Sequence, residues 1–277
     1  MNSGAWRAVP IIIVLAIVAA IAYWWWNGHR PAAVVTAPEP ATSAPQAPAP
    51  LATASAPTEP AIQYPVQAST ATPLEPSGIA GALVELLGRK ATNAFLQLDD
   101  FPRRFVATVD NLGRSYAAAS LWPINPTPGR FKVEKRGGST VISADNSQRY
   151  TPLVLLAESV DTRKAVDLYI RLYPLLQRAY QDLGFPKGYF NDRLIQVIDL
   201  LLASPDPGYP IEVQLIDVKG PEPSVTPWVR YEYADPALES LTSGQKIMVR
   251  VGSVNERRLK AKLSALRKEL LGRVVPR

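Results

Sequence analysis

The sequence predicts an α+β fold, mostly helical with short antiparallel β elements, preceded by one N-terminal transmembrane helix and a disordered tether. Three observations lead there. An uncharged apolar run opens the chain, a Pro- and Ala-rich stretch follows, and residues 77–277 carry mainly helical apolar periodicity with brief two-residue alternation.

From Ala8 to Gly28, 21 residues pass without a charge. An α-helix needs about 20 apolar residues to cross a bilayer core. Tyr23 and Trp24 to Trp26 close the run, as in an aromatic belt, where indole rings sit among headgroups. The competing reading is a cleaved signal peptide, since Ala20-Ile21-Ala22 fits the small-x-small cleavage pattern. Retention as an anchor over residues 1–30 is the expectation. Orientation rests on a small charge bias, with the α-amine and Arg7 on one side and His29 and Arg30 on the other.

Residues 31–76 are rich in Ala, Pro, Ser and Thr, with no Lys or Arg and no aromatic residue before Tyr64. Such a composition buries too little apolar surface to offset the entropy of folding. At ~3.1 Å per residue in polyproline II, the 46 residues reach at most roughly 140 Å. An uncharged tether after one span suits a domain working at a distance across an envelope space. The expected location is therefore the inner membrane, single-pass, with the C-terminal domain in the periplasm.

Composition narrows the chemistry. The chain has no Cys, which excludes disulfides, thiolate nucleophiles and Cys-ligated metals. Its one His is His29, in the anchor segment, so a Ser-His-Asp triad or a His-based metal site within residues 77–277 is excluded in a single chain. No cofactor and no metal site is expected.

Residues 77–277 suit a single domain. "IAGALVELLGRKATNAFL" and "DFPRRFVATVDNL" read as short helices, with Gly88 as a stop and Asp99 or Asp100 as an N-cap. "GRFKVEKRGGSTVIS" reads as a hairpin turning at Gly137-Gly138. "NSQRYTPLVLLAESV" forms one helix, and "DTRKAVDLYIRLYPLLQRAYQDLG" a second, started by Asp161, stopped near Gly184 and kinked or divided at Pro174. "YFNDRLIQVIDLLLAS" is a third, apolar at Leu194, Val197, Ile198, Leu201 and Leu202. "IEVQLIDV" and "WVRYEYA" form an antiparallel pair with Ile211, Val213, Leu215 and Val229, Tyr231, Tyr233 inward. "GQKIMVRV" and "SVNERRLKAKLSALRKELLG" close the chain as helices.

Five stretches carry a family resemblance: "LLGRKATNAFL", "FPRRFVATVDNL", "LWPINPTPGRF", "RLYPLLQRAYQDLGFPKGYFNDRLIQVIDLLL" and "YADPALESLTSGQKIMVRVGSVNERRLKAKL". Together they resemble the bacterial family catalogued as domain of unknown function 3014, over most of residues 77–275. The resemblance implies a membrane-anchored protein with a Pro/Ala-rich tether and one C-terminal domain. It implies no activity and no catalytic residues.

Charge is concentrated late. Residues 77–245 hold 18 basic and 19 acidic side chains, whereas 246–277 hold 10 and 2. In the last helix Leu259, Leu263, Leu266 and Leu270 recur at helical spacing, leaving Arg257, Arg258, Lys260 and Lys268 off the apolar face, with Lys262 between. This is either the solvated face of a packed helix or a footprint for an anionic polymer or headgroup. Nucleic acid is disfavoured as a partner: no nucleic-acid motif is visible, and aromatics do not interleave with the basic face.

Three catalytic patterns are weak. Ser243 to Lys246 has S-x-x-K spacing and Ser253 begins "SVN", but the K-T-G strand of penicillin-recognising enzymes is missing, so Ser243 reads as an N-cap. Glu158 in "AES" resembles the Glu-Ser of lytic transglycosylases without their Gly-rich segment. Asp192 and Asp199, seven apart, share a helix face and suit acid-base work or a divalent cation, yet a carboxylate near a helix start also serves the exposed N–H groups.

Aromatics pair repeatedly with arginine: Phe101 with Arg103 and Arg104; Trp122; Arg149 with Tyr150; Tyr169 and Tyr173 with Arg171; Tyr189 and Phe190 with Arg193. Converging, they would make a groove of the kind in which Tyr, Trp and Arg concentrate binding energy. The expected function is a membrane-anchored, non-enzymatic envelope domain. It binds a protein or an anionic or glycan component through Arg103, Arg104, Trp122, Tyr189, Asn191, Asp192 and Arg193, or through Arg257, Arg258, Lys260 and Lys262. The alternatives are an envelope hydrolase or transferase using a carboxylate pair, and a cytosolic nucleic-acid adaptor.

Overall fold

The computed structural model describes residues 61–67, 71–216 and 226–275. The expected span at 8–28 and residues 31–60 and 68–70 of the expected tether lie outside them. No helix among the described residues is long and apolar enough to cross a membrane.

The domain is mostly helical with two short antiparallel sheets. In order it forms α1 (Ile79–Leu87), α2 (Arg89–Phe95), α3 (Phe101–Leu112), β1 (Val133–Arg136), β2 (Ser139–Ile142), α4 (Asp145–Ser159), α5 (Thr162–Asp182), α6 (Phe190–Leu202), β3 (Val213–Leu215), β4 (Tyr231–Tyr233), α7 (Pro236–Glu239), α8 (Ser243–Arg250) and α9 (Ser253–Leu271).

The helix boundaries follow local chemistry. Gly88, at φ 83°, ends α1, a conformation that costs glycine little. Asp161 caps α5 through its carboxylate, which accepts from the Lys164 N–H at 2.9 Å. That bond holds the Asp161 carboxyl below its ordinary range. Asp100 occupies the N-cap position of α3 but sits left-handed at φ 50°, with no side-chain cap bond. The cap of α8 is Thr242 and not Ser243, because Thr242 and Gln245 form a reciprocal capping box. Ser243 lies one residue inside, its hydroxyl donating to the Asn111 carbonyl at 2.7 Å. α5 is not divided at Pro174 and runs as one helix from Thr162 to Asp182. Its buried residues Val166, Leu168, Ile170, Leu172 and Leu176 lie on both sides of the proline, so packing outweighs one missing backbone bond.

β1 and β2 pair with Arg136 opposite Ser139, leaving Gly137-Gly138 as the turn. Both glycines have positive φ, as a two-residue hairpin of this kind needs. β3 and β4 pair with Val213 opposite Tyr233 and Leu215 opposite Tyr231. The Val141–Glu212 bridge and the Ile142 N–H donating to Ile211 at 2.9 Å join the two pairs. Inward alternation holds for Ile211, Val213 and Tyr233 and fails at the far end, where Leu215 is 46% and Val229 69% exposed. Among the described residues, the small cluster under the sheets is made by Ile142, Ile211, Val213, Tyr233, Leu238 and Val249, and includes neither Leu215 nor Val229.

The larger core lies between α1, α3, α5, α6 and α9. Phe190 at its centre is fully buried, edge-on to Phe105 at 6.2 Å and tilted against Tyr180 at 5.5 Å. Burying such a ring contributes up to about 3 kcal/mol. Close approach of α8 needs Gly244, where a Cβ would stand 2.6 Å from Leu201 and 2.8 Å from the Leu112 carbonyl.

A candidate binding site at the start of α6

The first turn of α6 is built by α5. Gln177 accepts the Phe190 N–H at 2.8 Å and donates to the Gly188 carbonyl at 2.7 Å. It thus satisfies an N–H that the helix itself leaves unpaired. Tyr173 adds its hydroxyl to Gln177 at 3.0 Å and packs against the Tyr189 ring at 5.5 Å. One turn away, the Tyr169 hydroxyl donates to buried Asn191 at 2.9 Å. Burial drives the Tyr169 and Tyr173 hydroxyls above their ordinary range, and the nearby Tyr189 hydroxyl adds to the rise in both. Both therefore remain protonated donors.

This turn holds residues that composition alone placed in the tether. Asp192 accepts the N–H groups of Gln63 at 2.8 Å and Tyr64 at 2.7 Å, and Asn191 donates to the Tyr64 carbonyl at 2.8 Å. The Val66 N–H donates to the Tyr189 hydroxyl at 2.9 Å. On its other side the segment pairs with the chain's end: the Gln67 N–H reaches the Arg273 carbonyl and the Val275 N–H the Pro65 carbonyl, each at 2.9 Å. Residues 61–67 thus belong structurally to the domain.

Arg193 turns to α3. Its Nε donates to Asp110 Oδ1 at 2.9 Å and its second nitrogen to the Asp110 carbonyl at 2.8 Å. Arg114 takes the other oxygen of Asp110 at 2.7 Å. A Cβ on Gly113 would stand 2.7 Å from Arg193 Nη2, so the bare glycine seats the guanidinium. Sequence reasoning passed over Asp110. Its signal was the i, i+4 spacing to Arg114 on an otherwise apolar face.

Tyr189, Asp192 and Arg193 line one surface recess of about 330 Å³, together with Lys187 and Gln196. Asn191 lies beneath it, 1% exposed. The remaining candidates fall elsewhere. Arg104 donates to the carbonyls of Asp99 at 2.9 Å and Ser120 at 2.7 Å, and lies 3.5 Å from that of Trp122. Exposed Arg103 reaches Asp100 at 3.9 Å. The Trp122 indole N–H is buried with no acceptor among the described residues.

On α9, Lys260 pairs with buried Glu256 at 2.7 Å and donates to the Ser204 carbonyl, while Lys262 donates to the Val160 carbonyl. Arg258 stands 3.9 Å from Glu158, and Arg257 is exposed. Two of the four basic residues therefore bind α9 to the ends of α6 and α4. The carboxylates Asp192 and Asp199 answer to different partners, Asp192 to residues 63 and 64 and Asp199 to Arg267.

The profile of the family described as protein of unknown function (DUF3014) matches residues 101–267. The chain belongs to this family. The matched region contains α3 to most of α9, and so Asp110, Asp192 and Arg193; residues 61–67 and 273–275 lie outside it. No curated protein and no solved structure matches the chain.

Proposed function

We propose that this DUF3014 chain is a single-span, membrane-anchored binding domain without chemistry of its own, displayed in the periplasm on a Pro/Ala-rich tether. It engages a protein or an anionic or glycan envelope component at the start of α6. The observation that carries the reading is the shared recess of Tyr189, Asp192, Arg193, Lys187 and Gln196. An aromatic face beside cationic and amide donors suits an extended polar ligand. The carboxylates considered for catalysis support the same reading, since Asp192 holds backbone N–H groups and Asp199 holds Arg267.

The absence of cysteine provides the test of placement. With Ser55→Cys as the sole thiol, a membrane-impermeant maleimide should label intact cells. Labelling only after the inner membrane is broken would put the domain in the cytosol and overturn the reading. Binding is tested by co-sedimentation with isolated cell-wall glycan and with anionic vesicles. Lys187→Glu at the recess should weaken retention, and retention equal to that of the unaltered chain would remove the recess as the site.

A further inference from the structure

A cavity of about 350 Å³ runs through the helical core, separate from the α6 recess. Its wall comes from α1, α3, α5, α6 and α9, and almost every lining side chain is aliphatic or phenyl. The one hydroxyl-bearing residue, Tyr169, spends that hydroxyl on Asn191. The walls therefore offer water no hydrogen-bond partners. Phe101 and Leu112, at opposite ends of α3, both line the space. The eleven helical steps from one to the other correspond to about 16 Å. An apolar volume of this length matches an alkyl chain. At the ~30 Å³ that a water occupies in the liquid, it holds roughly twelve methylene-sized groups.

The cavity has a polar neighbour. Leu86 and Leu168 form a wall common to it and to a second recess of about 220 Å³ between α1 and α5. That recess carries Lys164, Arg171, Asp167 and Glu85. Asp167 is taken by Arg273 at 2.7 Å. The Nε of Arg171 is buried and has no acceptor among the described residues. Lys164, Leu168 and Arg171 follow one another at four and three residues on α5, so both cations and the shared leucine lie on one face. Against Glu85, exposed at the rim, the recess presents two cations, one of them with a desolvated N–H that lacks a partner.

We propose that the bundle holds a single-chain anionic amphiphile, its hydrocarbon tail in the core cavity and its carboxylate or phosphate head against Lys164 and Arg171. This inference stands apart from the recess at α6 and survives if that reading fails.

The test uses the full chain in intact cells and a twelve-carbon fatty acid with a mid-chain diazirine. After irradiation, crosslinked peptides should map to the α5, α6 and α9 cavity walls. Excess dodecanoate or dodecyl phosphate should suppress the crosslink, and whichever acts at lower concentration identifies the head. Dodecanol should compete at least about tenfold less well, the value of one charge-assisted hydrogen bond. Arg171→Gln should lower labelling by about the same factor. Ala165→Phe, which fills one end of the cavity, should abolish labelling. If that variant fails to accumulate, Leu266→Phe on the α9 wall reads the same quantity. Crosslinks confined to residues outside the cavity, labelling unchanged in the filled variant, or dodecanol competing as well as the acids would each overturn the proposal.

Discussion

Asp192 and Tyr64, 128 residues apart, are joined through the backbone: the carboxylate accepts the Tyr64 N–H at 2.7 Å, while neighbouring Asn191 donates to the Tyr64 carbonyl at 2.8 Å. Two consecutive side chains of α6 thus satisfy both polar groups of one peptide segment, and the second Asp192 oxygen takes the Gln63 N–H. The point where the expected tether meets the domain is fixed by this contact.

Asp192→Asn tests it. An amide of the same shape keeps one acceptor and turns an NH₂ toward the other N–H. The segment should loosen by about 1–2 kcal/mol. Hydrogen exchange would show faster exchange at Gln63 and Tyr64 with α6 still protected. Unchanged protection at both amides would show that the carboxylate does not hold the segment.

Asp110 carries a different kind of prediction. Its side chain is 9% exposed and lies between Arg193 at 18% and Arg114 at 50%. Asp110→Asn leaves a largely buried guanidinium without its counter-charge, for a loss of about 3 kcal/mol. Arg114→Gln removes only the exposed partner and should cost under ~1 kcal/mol. Denaturant titration of the two variants should therefore separate them clearly; equal losses would contradict the asymmetry in burial.

How far sequence reading reached depended on how local each determinant was. Gly137-Gly138 and Asp161 act within a few residues, and both hairpin and cap form as expected. The Thr242–Gln245 box was equally local and was overlooked in favour of Ser243. Pro174 does not divide α5, because its local cost is offset by distant packing along the helix. The α6 turn was legible as a cluster of Tyr189, Asn191, Asp192 and Arg193, but their partners, Tyr64 and Asp110, lie far away in the chain. No spacing rule connects them. Tyr64, the first aromatic residue after the long Pro/Ala stretch, was the only mark of where docking begins.

The basic face of α9 should prove divided. Lys260 neutralises Glu256, whose side chain is 3% exposed. Lys260→Gln leaves that carboxylate buried and unpaired, for a loss of about 3 kcal/mol. Arg257→Gln, on the exposed face, should change stability by less than ~0.5 kcal/mol. Parallel thermal melts decide this. If both substitutions were silent, Lys260 would be a solvated charge and the whole helix face would again be open to a ligand.

Alkaline pH should expose the tyrosines of the core. Burial raises Tyr169, Tyr173 and Tyr180 on α5, and Tyr233 in the second cluster, above the ordinary value of 10.0. Above about pH 10 the unfolded chain loses phenolic protons that the folded chain retains. It then binds fewer protons than the native state, so stability falls with rising pH and is fully present below pH 10. Melting temperature should be level between pH 7 and 9 and drop by pH 11. Tyr169→Phe should cost about 1–3 kcal/mol at neutral pH, because the Asn191 oxygen loses its buried donor. The same substitution removes one titrating group and should make the alkaline drop shallower. A flat profile to pH 11, or a drop as steep in the variant, would show that these hydroxyls do not govern the alkaline limb.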